Sequence, residues 1–132
     1  MKTWITLFTI LFSLTTFAQN TKESTTFSSP DRPIIVSASN PSFTLHLKSN
    51  PTTGFFWYLG KYDDYQVSAT DHEYLTPEDK KMVGAPGQET WTFNLQKSAF
   101  NVPRIFKIHF TYARPWTTAN ATDVTFTILT RR

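Results

Sequence analysis

The sequence contains few residue combinations that could carry out catalysis. Its 132 residues include no cysteine, which excludes a thiol nucleophile and a cysteine-ligated zinc site. The three histidines, His46, His72 and His109, lie in separate segments, and no Gly-x-Ser-x-Gly elbow supplies a serine nucleophile. We therefore expect no enzyme activity, no cofactor and no metal, and a surface position for each imidazole.

Two acidic clusters are the remaining candidates for ion binding or acid catalysis. Asp63-Asp64 forms one cluster and Asp71-His72-Glu73 forms the other. Calcium needs several oxygen ligands, but neither spacing matches a calcium-binding loop. We expect these side chains to be solvated charges in turns.

A third kind of pattern suggests binding by stiff, uncharged loops. The first such segment reads Asn50-Pro51-Thr52-Thr53-Gly54 and is followed by Phe55. Proline restricts its own φ and that of the residue before it, β-branched threonines are stiff at χ1, and glycine accepts a positive φ. Such a loop can enter a narrow polar cleft without desolvating an ion. Taken alone, the segment also fits an ordinary turn.

Two further segments have compositions that are typical of recognition sites. Residues 76–89 form a long connection that contains Gly84-Ala85-Pro86-Gly87, and long loops in compact domains are usually functional or disordered. Arg114-Pro115-Trp116 places a tryptophan beside an arginine, which is the composition of an interface hot spot. Folding of Trp116 back onto the domain is the alternative.

The elements that must position these segments are β-strands. Apolar residues alternate with polar ones, as in Phe43, Leu45 and Leu47, and strict alternation predicts a strand with one buried face. The predicted strands cover residues 34–38, 43–48, 55–60, 65–70, 89–96, 104–113 and 123–130, and a helical signal appears only weakly at 77–82. This spacing predicts an all-β fold, an immunoglobulin-like β-sandwich of seven or eight antiparallel strands. Strands that alternate in direction would bring the three segments to one end of it.

The N-terminus predicts export. Lys2, an apolar run over residues 4–17 and the small residue Ala18 are typical of a signal peptide at 1–18. Residues 19–32 are polar and predict a flexible leader, and 33–132 form one domain. Loss of the signal leaves 12 Lys and Arg against 10 Asp and Glu, and a net charge of +2 does not indicate a nucleic-acid partner. The expected location is secreted, periplasmic or endolysosomal, without a membrane anchor after signal removal.

The order and spacing of the three segments resemble the chagasin family of cysteine-peptidase inhibitors. The residues that carry the resemblance are Asn50-Pro51-Thr52-Thr53-Gly54-Phe55 with Trp57, Gly84 and Gly87 with Trp91 four residues later, and Arg114-Pro115-Trp116. The resemblance covers about residues 33 to 130. It implies a monomeric, reversible, non-covalent inhibitor of papain-like (clan CA) cysteine peptidases.

The resemblance also implies a role for each segment. Thr52 and Thr53 would sit over the catalytic cysteine and histidine, while Gly84 to Gly87 would run along one side of the cleft by backbone contacts. Arg114, Pro115 and Trp116 would pack on the other side. Pro86 departs from the pattern because it removes a backbone donor from the glycine-rich segment. Trp57 and Trp91 alternate within strands and are expected to support the core.

A different class of function is also compatible with the sequence. An immunoglobulin-like adhesion or carbohydrate-binding module would share the fold, with Trp57, Trp116 and tyrosines stacking on sugars. Asn120-Ala121-Thr122 is a glycosylation acceptor pattern beside the third segment, where a glycan would obstruct binding.

Overall fold

The computed structural model of the protein describes residues 25–77 and 84–131. The predicted signal peptide, the leader up to residue 24 and residues 78–82 of the helical window predicted at 77–82 lie outside the described residues. Within them the chain forms strands and two short 3-10 turns, Pro51–Thr53 and Lys97–Phe100. The strands are β1 (Thr25–Phe27), β2 (Ile34–Ser37), β3 (Ser42–Ser49), β4 (Phe56–Leu59), β5 (Val67–Leu75), β6 (Gly87–Leu95), β7 (Ile105–Arg114) and β8 (Thr117–Arg131).

The strands form two four-stranded sheets that pack face to face. One sheet has the order β1-β3-β6-β5 and the other has the order β2-β8-β7-β4. The predicted immunoglobulin-like sandwich is confirmed, and each of the seven predicted strands is present with shifted ends. The prediction that all strands are antiparallel is wrong at two edges, because β1 pairs in parallel with β3 and β2 pairs in parallel with β8.

The parallel pairs have a topological cause. Direction does alternate along the chain from β1 to β3, but β2 crosses to the other sheet. Strands β1 and β3 therefore become neighbours although both run the same way. Part of the predicted leader thus contributes strand β1, and Phe27, the last residue of this strand, packs against the core.

The core lies between the sheets and is built from the residues on the apolar phase of each strand. Phe43, Phe93, Phe110 and Phe126 are fully buried. The Phe43 and Phe93 rings stack at 5.5 Å, and Phe110 meets Phe93 and Phe126 edge-on at 6.3 and 6.2 Å. Each such ring pair adds about 0.5–1.5 kcal/mol beyond area burial, which helps a chain without disulfides to hold its fold.

Strand direction brings three connections to one end of the sandwich, the loop pole. Strands β3, β5 and β7 end there, at Ser49, Leu75 and Arg114, and β4, β6 and β8 begin there. The connections are the threonine loop (residues 50–55), the glycine loop (residues 76–86) and the tryptophan turn (Pro115 and Trp116). The expectation that all three emerge at one pole is confirmed.

The last connection is much shorter than the sequence predicts. Strand β8 begins at Thr117 rather than near residue 123, so only Pro115 and Trp116 join it to β7. The ladder slips between Tyr112 and Arg114, which pair with Thr122 and Thr117. The extra β8 residues form a bulge in which Asn120 has a φ of 62°. Neither described part of the chain, 25–77 or 84–131, holds a helix long and apolar enough to cross a membrane.

Candidate functional site: an edge of three bonded loops

The threonine loop is a closed 3-10 turn. The Thr53 amide donates to the Asn50 carbonyl at 3.1 Å, and the Gly54 amide donates to the Pro51 carbonyl at 2.9 Å. Gly54 ends the turn with φ 79° and ψ 4°, the left-handed region that the sequence analysis expected it to use. The backbone of this loop is therefore held from within.

The two threonine side chains are exposed at the tip, and both are oriented by Asn50. The Thr52 hydroxyl donates to Asn50 Oδ1 at 2.5 Å, and the Thr53 hydroxyl donates to the Asn50 carbonyl at 2.7 Å. Since each hydroxyl has only one hydrogen, both hydroxyls are left with acceptor lone pairs toward solvent. The tip thus offers oxygen acceptors and methyl groups, and no charge.

Asn50 also connects the threonine loop to its surroundings. Its backbone amide donates to the hydroxyl of Tyr112 on β7 at 2.9 Å. Its side-chain Nδ2 donates to the Gly84 carbonyl of the glycine loop, also at 2.9 Å. One residue therefore sets the tip conformation and fixes the distance between two of the three loops.

Arg114 fixes the threonine loop from the opposite side. Its Nε donates to the Thr53 carbonyl at 3.1 Å, and its guanidinium carbon lies 4.5 Å from the centre of the Phe55 ring. Phe55 in turn stacks on Tyr112 at 5.2 Å. These contacts make Arg114 and Phe55 braces of the threonine loop, and their contact with a peptidase stays a prediction.

Trp116 is a highly exposed aromatic residue of the edge. Its side chain is 71% exposed, although it stands on a two-residue turn. A Cβ added at Gly54 would lie only 2.8 Å from Trp116 Cη2, so the indole packs directly over that glycine. The alternative that Trp116 folds back onto the sandwich edge does not hold. An exposed indole held beside a rigid tip has the properties of a binding anchor.

The glycine loop presents a shorter segment than the sequence suggested. Gly84, with φ 80°, and Pro86 are exposed, and Ala85 is half-buried. Gly87 is instead buried as the first residue of β6, and a Cβ there would overlap the Tyr74 hydroxyl and the Leu75 carbonyl. Close approach of β5 explains that glycine, so residues 84–86 form the accessible part of the described loop.

The other candidate residues lie away from the edge surface. Trp57 is half-buried, with its indole nitrogen donating to the Lys48 carbonyl at 3.0 Å, so it is not a free stacking platform for sugars. The Asp71-His72-Glu73 cluster lies on β5 rather than in a turn, which corrects that expectation. In residues 25–77 and 84–131 no group of three or more His, Asp or Glu side chains is arranged to hold a metal ion.

Two supporting residues were not identified from the sequence. Tyr112 bonds to Asn50 of the threonine loop, and Glu89 bonds to both stems of the loop, at Ser49 and Trp57. A signal for Glu89 was present, because it occupies the inward phase of β6 between Gly87 and Trp91, where an apolar residue is expected. Tyr112 had no comparable signal, since a tyrosine at the end of an amphipathic strand is unremarkable.

An Asn50 substitution tests whether the bonded loops matter for recognition. Replacement by alanine removes the Thr52 and Gly84 hydrogen bonds, and we expect binding of the partner to weaken by roughly 1–3 kcal/mol, about 5- to 150-fold. The matched control is Asn94→Ala, which removes a 2.9 Å side-chain bond with Ser42 at the other pole. Equal inhibition constants for Asn50→Ala and the wild type would contradict this role.

Fold and site together define a class. The molecule is an immunoglobulin-like sandwich with a stiff edge of end loops at one pole, a tip that lacks charge and an exposed tryptophan. This arrangement is suited to entering a cleft and obstructing it.

Comparison with known proteins identifies the family. Residues 37–129 match the model of the chagasin family of peptidase inhibitors, I42, and the chain belongs to this family. Chagasin from Trypanosoma cruzi is 30% identical over 88 residues, which are 64% of this chain and 74% of chagasin. The protein is accordingly an inhibitor of cysteine peptidases and not an enzyme.

Solved structures of similar fold agree with the architecture. The cysteine protease inhibitor EhICP2 from Entamoeba histolytica superposes with a TM-score of 0.63 at 20% identity, over 81% of this chain and 95% of its own. Amebosin gives 0.61 at 20% identity, over 82% and 98%. PbICP-C in its complex with falcipain-2 gives 0.57 at 15% identity, over 82% and 89%.

Proposed function

We propose that this protein inhibits papain-like cysteine peptidases reversibly by inserting its loop pole into the active-site cleft. The observation that carries the proposal is the bonding of the threonine loop to both neighbours. Asn50 links it to Gly84 at 2.9 Å, and Arg114 links it to Thr53 at 3.1 Å. Three loops that are fixed to one another can dock as one body, and little conformational entropy is lost on binding.

The chemistry of the tip suits the catalytic pair of such a peptidase. These enzymes hold a cysteine of lowered pKa beside a histidine, so the cleft carries a thiolate and an imidazolium donor. The hydroxyl oxygens of Thr52 and Thr53 are available as acceptors, since their hydrogens are committed to Asn50. A carboxylate at the tip would be repelled by the thiolate, and an ammonium would lose its hydration on entry.

The same tip is poorly suited to being cleaved. Its peptide groups are held in a 3-10 turn by the Thr53-to-Asn50 and Gly54-to-Pro51 hydrogen bonds. Presentation of a scissile bond in an extended form would require these bonds to break. The chain also has no cysteine for a mixed disulfide with the peptidase. These two properties support inhibition by obstruction of the active-site cleft, without a covalent step.

The flanking loops supply the remaining contacts. Trp116 would anchor one side of the cleft, and residues 84–86 would lie along the other through backbone and proline contacts. The complex of PbICP-C with falcipain-2 supports this class of target. An interface of about 800 Å² per partner is the standard size for such complexes, and nanomolar affinity corresponds to about −12 kcal/mol.

A titration tests the proposal. Papain is mixed with increasing amounts of residues 19–132, and hydrolysis of a small peptide substrate is followed. We expect loss of activity at one inhibitor per active site, with recovery after extensive dilution. Trypsin, a serine peptidase, is the control and should keep its activity. Full papain activity in excess inhibitor, repeated with several related cysteine peptidases, would reject the proposal.

The proposal includes export and action as a monomer. Cleavage after Ala18 would release a mature chain that begins at Gln19, in a secreted, periplasmic or endolysosomal compartment. Mass spectrometry of the protein purified from its source should give this N-terminus. Size-exclusion chromatography with light scattering should give the mass of one chain, and of one chain per peptidase in the complex.

A further inference from the structure

One carboxylate is buried directly beneath the threonine loop. Glu89 projects inward from β6, and its side chain is 4% exposed. An ionised carboxylate is expensive to bury unless it is paired and hydrogen-bonded. The groups that it contacts therefore indicate why it is there.

The first carboxylate oxygen joins the two stems of the threonine loop. Glu89 Oε1 accepts from the Ser49 hydroxyl at 2.6 Å and from the Trp57 backbone amide at 3.4 Å. Ser49 is the last residue of β3, and Trp57 is the second residue of β4. These strands belong to different sheets, so the bonds to one atom span the sandwich where the loop leaves it.

The second carboxylate oxygen is held by the neighbouring edge strand. Glu89 Oε2 lies 2.9 Å from Nε2 of His72 on β5. The imidazole itself stacks on the Trp91 ring, with centroids 3.8 Å apart. His72 thus fixes the orientation of the carboxylate, and the pair also ties together β5 and β6, the stems of the glycine loop.

We propose that Glu89, backed by His72, is a positioning residue for inhibition: it holds the stems of the threonine loop at the spacing that the cleft requires. This role presupposes that the loop enters the cleft, as proposed above. Fold stability alone does not account for the residue, because an apolar side chain at this buried position would avoid the cost of desolvating a carboxylate. Glu89 contributes by holding the threonine loop in its binding-competent conformation before the peptidase binds.

This role has a kinetic signature that a contact residue lacks. When only a fraction of the inhibitor holds the competent loop, the apparent affinity falls by that fraction. The contacts in the complex stay the same, so the loss appears in the association rate constant. Loss of a direct contact appears mainly in the dissociation rate constant.

The experiment compares variants of the full chain with papain as the probe. Glu89→Met should lower the association rate constant roughly tenfold and change the dissociation rate constant less than about twofold. Glu89→Gln keeps an oxygen for Ser49 and Trp57, and both constants should stay within about twofold of the wild type. Ser49→Ala removes one stem bond and should lower association about threefold, which keeps the test open if Glu89→Met does not fold.

Thr130→Val is the matched control. Thr130 is buried at the opposite pole, where its hydroxyl accepts from the Arg104 amide at 2.8 Å. This variant should lower the melting temperature and leave both rate constants unchanged. An equal fall in association for Thr130→Val would overturn the proposal. So would unchanged association, or a rise in dissociation alone, for folded Glu89→Met.

Hydrogen exchange separates this proposal from the proposed function, because it needs no peptidase. The Thr53 and Gly54 amides of the free protein should exchange at least about fivefold faster in Glu89→Met and at the wild-type rate in Thr130→Val. If the wild type does not inhibit papain but Glu89→Met exchanges these amides faster than the wild type, the proposed target is rejected and the role of Glu89 in holding the loop stands. Unchanged exchange in Glu89→Met would reject the positioning role whether or not papain is inhibited.

Discussion

Replacement of Trp116 by alanine is expected to weaken inhibition by roughly 1–4 kcal/mol, with a central value near 100-fold in the inhibition constant. The indole is 71% exposed in the free protein, so its burial against a peptidase would remove a large apolar area from water. The loss should appear chiefly as faster dissociation, because Trp116 is proposed to contact the partner directly. Thermal stability should change little, since the side chain contributes little to the core.

Tyr65→Ala is the matched control for this variant. Tyr65 is 87% exposed in the connection between β4 and β5, at the pole away from the three loops. Removal of that exposed aromatic side chain should leave the inhibition constant unchanged. If Trp116→Ala inhibits as well as the wild type, Trp116 lies outside the interface, and the tryptophan turn is not part of the recognition edge.

Gly54→Ala is expected to impair inhibition at least as strongly as loss of Trp116. Gly54 has a φ of 79°, where an L-residue costs about 1–2 kcal/mol. The new Cβ would also lie 2.8 Å from Trp116 Cη2, so the exposed indole must move away. One methyl group thus disturbs both the threonine tip and the aromatic anchor. The inhibition constant measures the loss of binding, and the midpoint of urea unfolding measures the cost of the positive φ to fold stability.

Coupling between the two residues distinguishes displacement of Trp116 from backbone strain. In a double-mutant cycle, Gly54→Ala and Trp116→Ala should be less than additive, because removal of the indole also removes the overlap. Gly84→Ala provides the comparison, since Gly84 has a φ of 80° and an added Cβ there meets nothing within 4 Å. Its effect should add to that of Trp116→Ala. Additivity in both cycles would contradict the packing of Trp116 over Gly54 in solution.

Arg114 is a residue whose contacts within the protein could not be predicted from the sequence. Arginine beside an exposed tryptophan is typical of an interface, and the resemblance implies that both pack against a peptidase. In the structure its Nε is bonded to the Thr53 carbonyl and its guanidinium covers Phe55. The guanidinium of arginine has five N–H donors, so it can brace a loop within its own chain and still leave donors for a partner. Only the folded structure reveals which of these hydrogen bonds form.

The sequence by itself determined seven of the eight described strands, the buried phase of the four that alternate strictly, and the three segments that meet at the loop pole. Alternation in β3, β6, β7 and β8 is a local property of the chain, and burial of one face follows from it directly. The stiffness of the threonine loop is also local, because it arises from the φ and χ1 preferences of Pro51, Thr52 and Thr53.

Only the tertiary structure decided which strands became neighbours and which groups met at the loop pole. The parallel edge pairs, the burial of Gly87 beneath Tyr74 and the clamp of Glu89 on Ser49 and Trp57 join positions far apart in the chain. Local preferences hold no information about such distances, since they depend on how two sheets pack. A period of two therefore predicts a strand and its buried face, but not the partner across the sandwich.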